Sequence, residues 1–284
     1  MVKRRLDTLL TERGLFPSRS RAAASVMAGE VHVGPGRRRA QKPGELVDPQ
    51  EALSVAERPA FVSRGGIKLA NALAASGIEV AGRRALDVGA STGGFTDCLL
   101  QHGAREVIAV DVGYGELDYA LRNDPRVRVL ERTNARALEP AMLPVPLGGG
   151  DPAAEGPAAS AGGRAGAGPP LDLATIDVSF ISLTKVLGPV LGCLSREHDV
   201  LALIKPQFEV GRGRVGKGGV VRDAGARRAA LVAVGEAAVA LGEVVLAYHY
   251  SGLPGPKGNR ETFVWCGAGE GLDDLATALE EVDV

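Results

Sequence analysis

Residues 83–103 read RRALDVGASTGGFTDCLLQHG: an apolar run, a glycine-rich turn and an amphipathic stretch in succession. RRALDVGA predicts a strand and FTDCLLQHG a helix. Glycine between them lets the backbone turn sharply and lets a ligand approach the peptide plane. The amide groups of the helix N-terminus then face that ligand. Plain strand–helix packing would use the same turn, so its neighbours have to decide. The next apolar run, EVIAVDVG at 106–113, predicts a second strand. Asp111 closes it 22 positions after Gly89, placed to accept hydrogen bonds from a ribose diol.

Working outward, YAL at 119–121 begins a helical stretch and RVRVLE at 126–131 predicts a strand. LDLATIDVS (171–179), a helix from about Thr184 to Leu194, and DVLALIKP (199–206) follow. The long helix ARRAALVAVGEAAVALG (226–242) then precedes VVLAYHY (244–250) and TFVWC (262–266). Apolar strands alternating with helices predict an open α/β sheet covered on both faces. The last two strands, joined by SGLPGPKGNRE (251–261), suit a terminal hairpin. One stretch interrupts the pattern. Gly, Ala and Pro fill 21 of the 27 positions from 144 to 170, which leaves almost nothing to bury and predicts a disordered surface insertion.

The first 60 residues differ in kind. Leu6, Leu9 and Leu10 stand at helical spacing with Gly14 as a stop, and Pro17 and Ser18 open a second helix ended by Gly29. A strand EVHVG, a basic turn PGRRRAQKPGE and a second strand LVD predict a small hairpin. Residues 1–42 carry ten Lys/Arg against Asp7, Glu12 and Glu30, while the whole chain has a net charge of −1. A basic head on an acidic body points to one part that holds a polyanion and another that acts on it.

Bulk composition narrows the classes. With 284 residues, 45% hydrophobic and 24% charged, the chain suits a large domain with a small one beside it. No apolar run reaches the roughly 18–20 residues that span a bilayer, and the charged start lacks a signal peptide's apolar core. A cytoplasmic protein without membrane attachment is expected. Cys98, Cys193 and Cys266 are widely separated and the four histidines scattered, so neither a disulfide framework nor a metal site is expected.

Three ligands compete for the turn after Leu86. A nicotinamide dinucleotide needs G-x-G-x-x-G, which the spacing of Gly89, Gly93 and Gly94 does not match. GRGRVGKGG at 211–219 fits a phosphate-binding G-x-x-x-x-G-K, but Gly218 stands where the magnesium-holding Ser/Thr belongs. S-adenosylmethionine has no phosphates and asks for an acid–glycine turn beside a ribose-binding acid. Asp87, Gly89 and Asp111 suit it best.

Two resemblances then become specific. Residues 3–58, on RLDTLLTERGLFPSRSRAAASVMAGEVHV as a whole, resemble the S4 RNA-binding domain. That resemblance implies a small α+β domain over 1–58 that docks on structured RNA, with Arg4, Arg5, Arg19, Arg21 and Lys42 on phosphates. VSRGGIKL, LDVGASTGGFTDCLL, VDVGYGELDYALRNDPRV, LERTNAR, IDVSFISL, LIKPQFEVG and LPGPKGNRETF resemble, in that order, the TlyA family. Its members pair an S4 domain with an FtsJ-like ribosomal RNA 2′-O-methyltransferase and often carry the label haemolysin A. The linker RPAFV at 58–62 departs from the family's pattern.

The resemblance implies a Rossmann-like class I methyltransferase domain over 64–284, reached through a linker at 59–63, and S-adenosylmethionine as cofactor. The cofactor residues it implies are Asp87, Gly89, Ser91, Gly93, Gly94, Phe95, Asp111, Val112, Asn134 and Asp177. It further implies a catalytic Lys-Asp-Lys-Glu set: Lys68 in SRGGIKL, Asp177 in IDVSF, Lys205 in IKPQFE and Glu261 in GNRETF.

The strand reading agrees on its own terms. Asp177 and Lys205 close predicted strands on the edge where open α/β sheets bind ligands, Glu261 begins the last strand, and Lys68 precedes the helix leading into the first. Lys205 is expected to receive or stabilise the hydroxyl proton, Asp177 and Glu261 to hold its ammonium, and Lys68 to steady the ribose or its phosphate. Each alone has a plainer reading: Lys68 as a surface helix lysine, Asp177 as a helix cap, Glu261 as an edge-strand charge. The basic segment after Lys205, with Arg212, Arg214 and Lys217, is expected near RNA phosphates, and Phe208 against a splayed-out base.

The expected function is S-adenosylmethionine-dependent ribose methylation of ribosomal RNA, at a cytidine in assembled subunits, with no obligate protein partner. Two other classes stand beside it: a membrane-active haemolysin and a non-catalytic RNA-binding protein.

Overall fold

The computed structural model describes residues 2–56, 59–145 and 171–279, and the chain divides into two compact units, Met1–Ala60 and Phe61–Val284. From residue 146 on, the Gly/Ala/Pro insertion expected at 144–170 lies outside the described residues.

In the first unit, β1 (Arg4–Arg5), α1 (Leu6–Glu12), α2 (Arg19–Ala28), β2 (Val31–Val33), β3 (Arg38–Arg39), β4 (Leu46–Val47) and β5 (Leu53–Val55) follow in order. The helical spacing of Leu6, Leu9 and Leu10 turns all three inward against Ala22 and Val26 of α2. Ser18 caps α2 by accepting from the Arg21 N–H at 3.3 Å, and Gly29 ends it in a left-handed conformation with φ +79°. The strand pairing differs from the expected EVHVG–LVD hairpin. Leu46–Val47 pairs with Arg4–Arg5, and β2 lies between β3 and β5. The backbone ahead of α1 presents an open edge, which the short apolar LV covers.

The second unit runs α3 (Arg64–Ser76), β6 (Arg84–Val88), α4 (Gly94–Gln101), β7 (Glu106–Val110), α5 (Tyr119–Arg122), β8 (Val127–Leu130) and β9 (Leu173–Ile176). It continues with α6 (Leu187–Leu191), β10 (Asp199–Ile204), α7 (Pro206–Glu209), α8 (Ala224–Ala240), β11 (Val245–Tyr250), β12 (Thr262–Cys266) and α9 (Leu275–Ala278). Its seven strands are ordered β11-β12-β10-β9-β6-β7-β8. Six share one direction, and β12 alone among these seven runs antiparallel, between β10 and β11, as the hairpin requires. The helix expected over 184–194 is a 3-10 turn, Leu183–Lys185, followed by the short α6. Gly188, Pro189 and Gly192 leave this stretch little helix propensity.

Alternation along each strand supplies two apolar faces. Leu86, Val88, Ile108, Ala174 and Ile176 pack with Leu187, Leu231 and Val234 on one side. Ala85, Val107, Leu173, Leu201 and Phe263 pack with Leu69, Phe95 and Leu99 on the other. Each fully buried Leu or Phe contributes about 1.5–3 kcal/mol relative to exposure. From β6 the chain steps to β7 and β8 on one side, then crosses back to β9 and β10 on the other. The switch lies between β6 and β9, where their carboxyl ends leave a crevice. Residues 59–63, read as a linker, do not run free over their length. Phe61 packs against the core, and the Val62 N–H donates to Asp97 Oδ2 at 2.8 Å.

Candidate active site

At that crevice the glycine turn and the two strand ends are locked together. The Asp177 N–H donates to the Val88 carbonyl at 2.8 Å, and a β-carbon on Gly89 would lie 2.7 Å from the Asp177 carbonyl oxygen. Gly89, with φ +88°, is therefore required both for its turn and for the close approach of β9. The N-termini of α3 and α4 also meet backbone to backbone. A β-carbon on Gly66 would sit 2.8 Å from the Gly94 carbonyl oxygen, and one on Gly94 would sit 2.9 Å from the Gly66 nitrogen. This contact carries Lys68, in the second turn of α3 rather than ahead of it, into the crevice.

Lys68, Asp177, Lys205 and Glu261 all line one cavity of about 650 Å³, together with Gly89–Thr92, Gly94 and Phe95 of the glycine turn. Lys205 Nζ lies 2.6 Å from Asp177 Oδ1 and donates to Ser179 Oγ at 2.9 Å. Lys68 Nζ donates to Glu261 Oε2, a buried ion pair for which Gly255 leaves the room. Glu261 therefore holds the ammonium of Lys68, not that of Lys205 as expected. Burial raises the Asp177 carboxyl above its ordinary range, opposed by Lys205 and then Lys68, while Glu261 pushes the same way as burial. The four groups thus act on one another as a single electrostatic unit with two cations and two carboxyls.

The other expected cofactor residues divide. Asp111 stands at the end of β7 with its carboxylate held by the N–H groups of Ser91 at 2.8 Å and Gly113 at 2.7 Å. Ser91 takes φ +47° to make that bond. A carboxylate has about four acceptor positions, so two remain for hydroxyl donors. Asp87 is fully buried, does not line the cavity, and accepts from Thr96 Oγ1 at 2.6 Å. Burial pushes its carboxyl up to about 7, so it ties β6 to α4 from behind the turn. Gly93 packs on Leu117 and Leu121, and Val112 is exposed. Asn134 caps the turn 135–137 and lines a second cavity, of about 850 Å³. The two cavities share Phe180, Gln207, Phe208, Val215 and Gly219.

Four residues were not singled out by the sequence. Ser179 receives the Lys205 hydrogen bond. Phe180 is 92% exposed at φ +65°, with its ring 5.2 Å from that of Phe208. Such a conformation for a bulky side chain costs of order 1–3 kcal/mol and marks functional sites. Glu209 accepts from Ser182 Oγ at 2.6 Å and the Leu183 N–H at 2.9 Å, so it clamps the segment after Phe180 to α7. Asn259 is buried, accepts from the Val221 N–H at 2.9 Å and donates to the Gly219 carbonyl at 2.8 Å. It pins one end of the basic segment beside the cavity. Within that segment Arg212–Arg214 forms a 3-10 turn, and Arg214 and Lys217 are exposed. IDVSFISL, LIKPQFEVG and LPGPKGNRETF contain all four, so motif membership was the available signal.

Sheet order, switch-point crevice and glycine turn define a Rossmann-like methyltransferase. Comparison with known proteins agrees: the FtsJ-like methyltransferase family matches residues 61–268, and the S4 domain matches residues 4–53. The chain is 48% identical over 264 residues to a 16S/23S rRNA (cytidine-2′-O)-methyltransferase, TlyA, of Mycobacterium tuberculosis, covering 92% of this chain and 88% of that protein. It is 41% identical to YqxC of Bacillus subtilis, labelled an rRNA methyltransferase, over 96% of this chain and 90% of that one. A solved structure from Streptococcus thermophilus that carries the label hemolysin superposes with a TM-score of 0.66 at 36% identity, covering 99% of this chain and 96% of that one. This chain belongs to the TlyA family of S4-containing, FtsJ-like methyltransferases.

Proposed function

We propose that this protein transfers a methyl group from S-adenosylmethionine to the ribose 2′-hydroxyl of a cytidine in ribosomal RNA within assembled ribosomal subunits, in the cytoplasm. The observation that carries the reading is the meeting of Lys68, Asp177, Lys205 and Glu261 in one cavity beside the glycine turn. The residues present fit the cofactor: Asp111 offers acceptors to a ribose diol, and Gly89–Thr92 bring backbone to the cavity wall. When bound, the cofactor supplies a methyl group already activated on a sulfonium.

The difficult partner is the alcohol, which must lose its proton as it attacks. Lys205 takes that proton at Nζ, held in place by Asp177 and Ser179. Lys68, ion-paired with the buried Glu261, offsets negative charge growing on the 2′-oxygen. Phe180 and Phe208 stack on the extruded base, a contact any base face satisfies. The first unit grips RNA phosphates through Arg4, Arg5, Arg19, Arg21 and Lys42, and Arg212, Arg214 and Lys217 add to that grip beside the cavity.

Transfer of labelled methyl from the donor to purified ribosomal subunits, followed by mapping of ribose methyl groups, tests this. Label appearing on a cytidine 2′-oxygen supports the reading, and an unlabelled subunit overturns it. No observation favours membrane damage. Among the described residues no helix is long and apolar enough to cross a membrane, and vesicles should retain entrapped dye in the protein's presence. A silent RNA binder would not need four converging ionic groups.

A further inference from the structure

Asp7 is 4% exposed in the basic unit, and its carboxylate lies under two of the arginines assigned to RNA. Arg5 approaches side-on, with Nε 3.1 Å from Oδ1 and Nη2 2.8 Å from Oδ2. Arg19 reaches the same Oδ2 from α2 through Nη2 at 3.2 Å. Thr8 Oγ1 donates to Oδ1 at 3.2 Å. The Asp7 N–H donates to the Pro43 carbonyl at 2.9 Å, which fixes the carboxylate against the turn that follows Lys42. Gly44 in that turn leaves space for the Arg5 guanidinium, since a β-carbon there would lie 2.9 Å from Nη1. The Arg5 hydrogen bond leads the effects that bring the Asp7 carboxyl down to about 2.

We propose that Asp7 is a positioning residue for RNA docking: it holds the guanidinium groups of Arg5 and Arg19 side by side as a clamp for one backbone phosphate. The inference rests on reading the first unit as RNA-binding. Both arginine side chains remain about half exposed (52% and 57%) while anchored from beneath. Arg5 keeps Nη1, and Arg19 keeps Nε and Nη1, outside their bonds to Asp7. Two like charges brought together repel, and a buried carboxylate between them removes that cost before the phosphate arrives. Order supplied in advance appears as affinity.

The idea predicts a sign that simple charge counting reverses. Asp7→Asn adds one positive charge to the unit, which by counterion release alone should tighten binding and steepen its salt dependence. Loss of the clamp should instead weaken the full-length chain's binding to purified 16S and 23S rRNA about five- to tenfold near 0.15 M salt. It should also make the slope of log K against log[salt] shallower by about one. Donor binding should not change. Arg5→Lys and Arg19→Lys keep the charge but lose the fork, and each should weaken binding about threefold or more.

Asp7→Asn binding as tightly as the parent, or more tightly, overturns the proposal. If that variant fails to fold, unaltered binding by both lysine variants overturns it instead. If Arg5→Ala/Arg19→Ala leaves binding intact, the RNA-binding reading of the unit fails. If that double variant binds weakly while Asp7→Asn binds normally, only the clamp fails.

Discussion

Replacing Lys205 by alanine should lower single-turnover methyl transfer about a thousandfold. Its Nζ lies against Asp177 and Ser179, while Lys68, which lines the same cavity, is engaged by Glu261. Positive charge gathers on Nζ as it takes the proton, and a charge about 4 Å from the developing alkoxide, at an effective dielectric of about 20, contributes about 4 kcal/mol. At about 1.36 kcal/mol per decade that is close to a factor of 10³, inside the roughly 10²–10⁴ range of positioned acid–base groups. Removal also takes away the leading effect that opposes the burial of Asp177, so its carboxyl should rise further and hold a proton more readily. The glycine turn and Asp111 do not touch Lys205, so the donor dissociation constant should move less than about threefold. Lys205→Arg separates the two contributions. It keeps the cation, but a guanidinium does not give up or take a proton near neutrality, so a base role predicts the same loss as alanine. Labelled transfer to purified ribosomal subunits, with equilibrium dialysis of the donor, measures both quantities. A folded, donor-binding alanine variant that keeps more than about 5% of the parent rate would refute the assignment.

Asp87 makes stability depend on pH in a window set by its raised carboxyl. Between its ordinary value of 3.8 and about 7 the folded chain holds a proton that the unfolded chain has lost, so stability falls as pH rises and levels off above about 7. Asp87→Asn removes that slope. The difference in melting temperature between parent and variant should therefore shift against the parent from pH 5 to pH 8, and a constant difference would exclude the account. Phe180→Ala should weaken productive binding of subunits about tenfold, seen as a raised KM with donor binding unchanged, since stacking contributes about 1–3 kcal/mol per base. An unchanged KM would remove Phe180 from the base site.

Much of the second unit was legible because its strands are short apolar runs buried on both faces. RRALDVGA, EVIAVDVG, RVRVLE, LDLATIDVS and DVLALIKP each contain a strand where periodicity and glycine punctuation put one. The first unit was less legible. Two- and three-residue strands such as Arg38–Arg39 and Leu46–Val47 carry no periodic signal, and their pairing depends on which backbone edge the helices leave open. Local propensity could not foresee that LVD would leave EVHVG for the N-terminal arginines. The stretch at 184–194 was misread for another reason. Its apolar residues keep helical spacing, but Pro189 has no N–H to bond back to Lys185, so the α-helix starts only at Leu187, and Gly192 ends it.

For the site, the family resemblance nominated all four residues, and for Asp177 and Lys205 the predicted strand ends agreed, since open α/β sheets bind ligands at that edge. Lys68 and Glu261 are different. They stand 193 positions apart, one inside a helix and one at the mouth of a strand, and only the fold joins them. The junction depends on glycines: Gly66 and Gly94 let α3 settle against α4, and Gly255 makes room for the Glu261 carboxylate. No spacing rule reads that, because the information is an absence of side chain at points that meet only in three dimensions. It also determines which carboxylate serves which lysine. With Glu261 at 1% exposure, a carboxylate left there without a partner would be costly, so Lys68 is committed to that ion pair. Burial raises the Asp177 carboxyl, and Lys205 is the leading effect that opposes the rise. That pairing suits the proposed roles: Lys68 fixed by a buried carboxylate beside the developing charge, and Lys205 set between Asp177 and Ser179 as the proton acceptor.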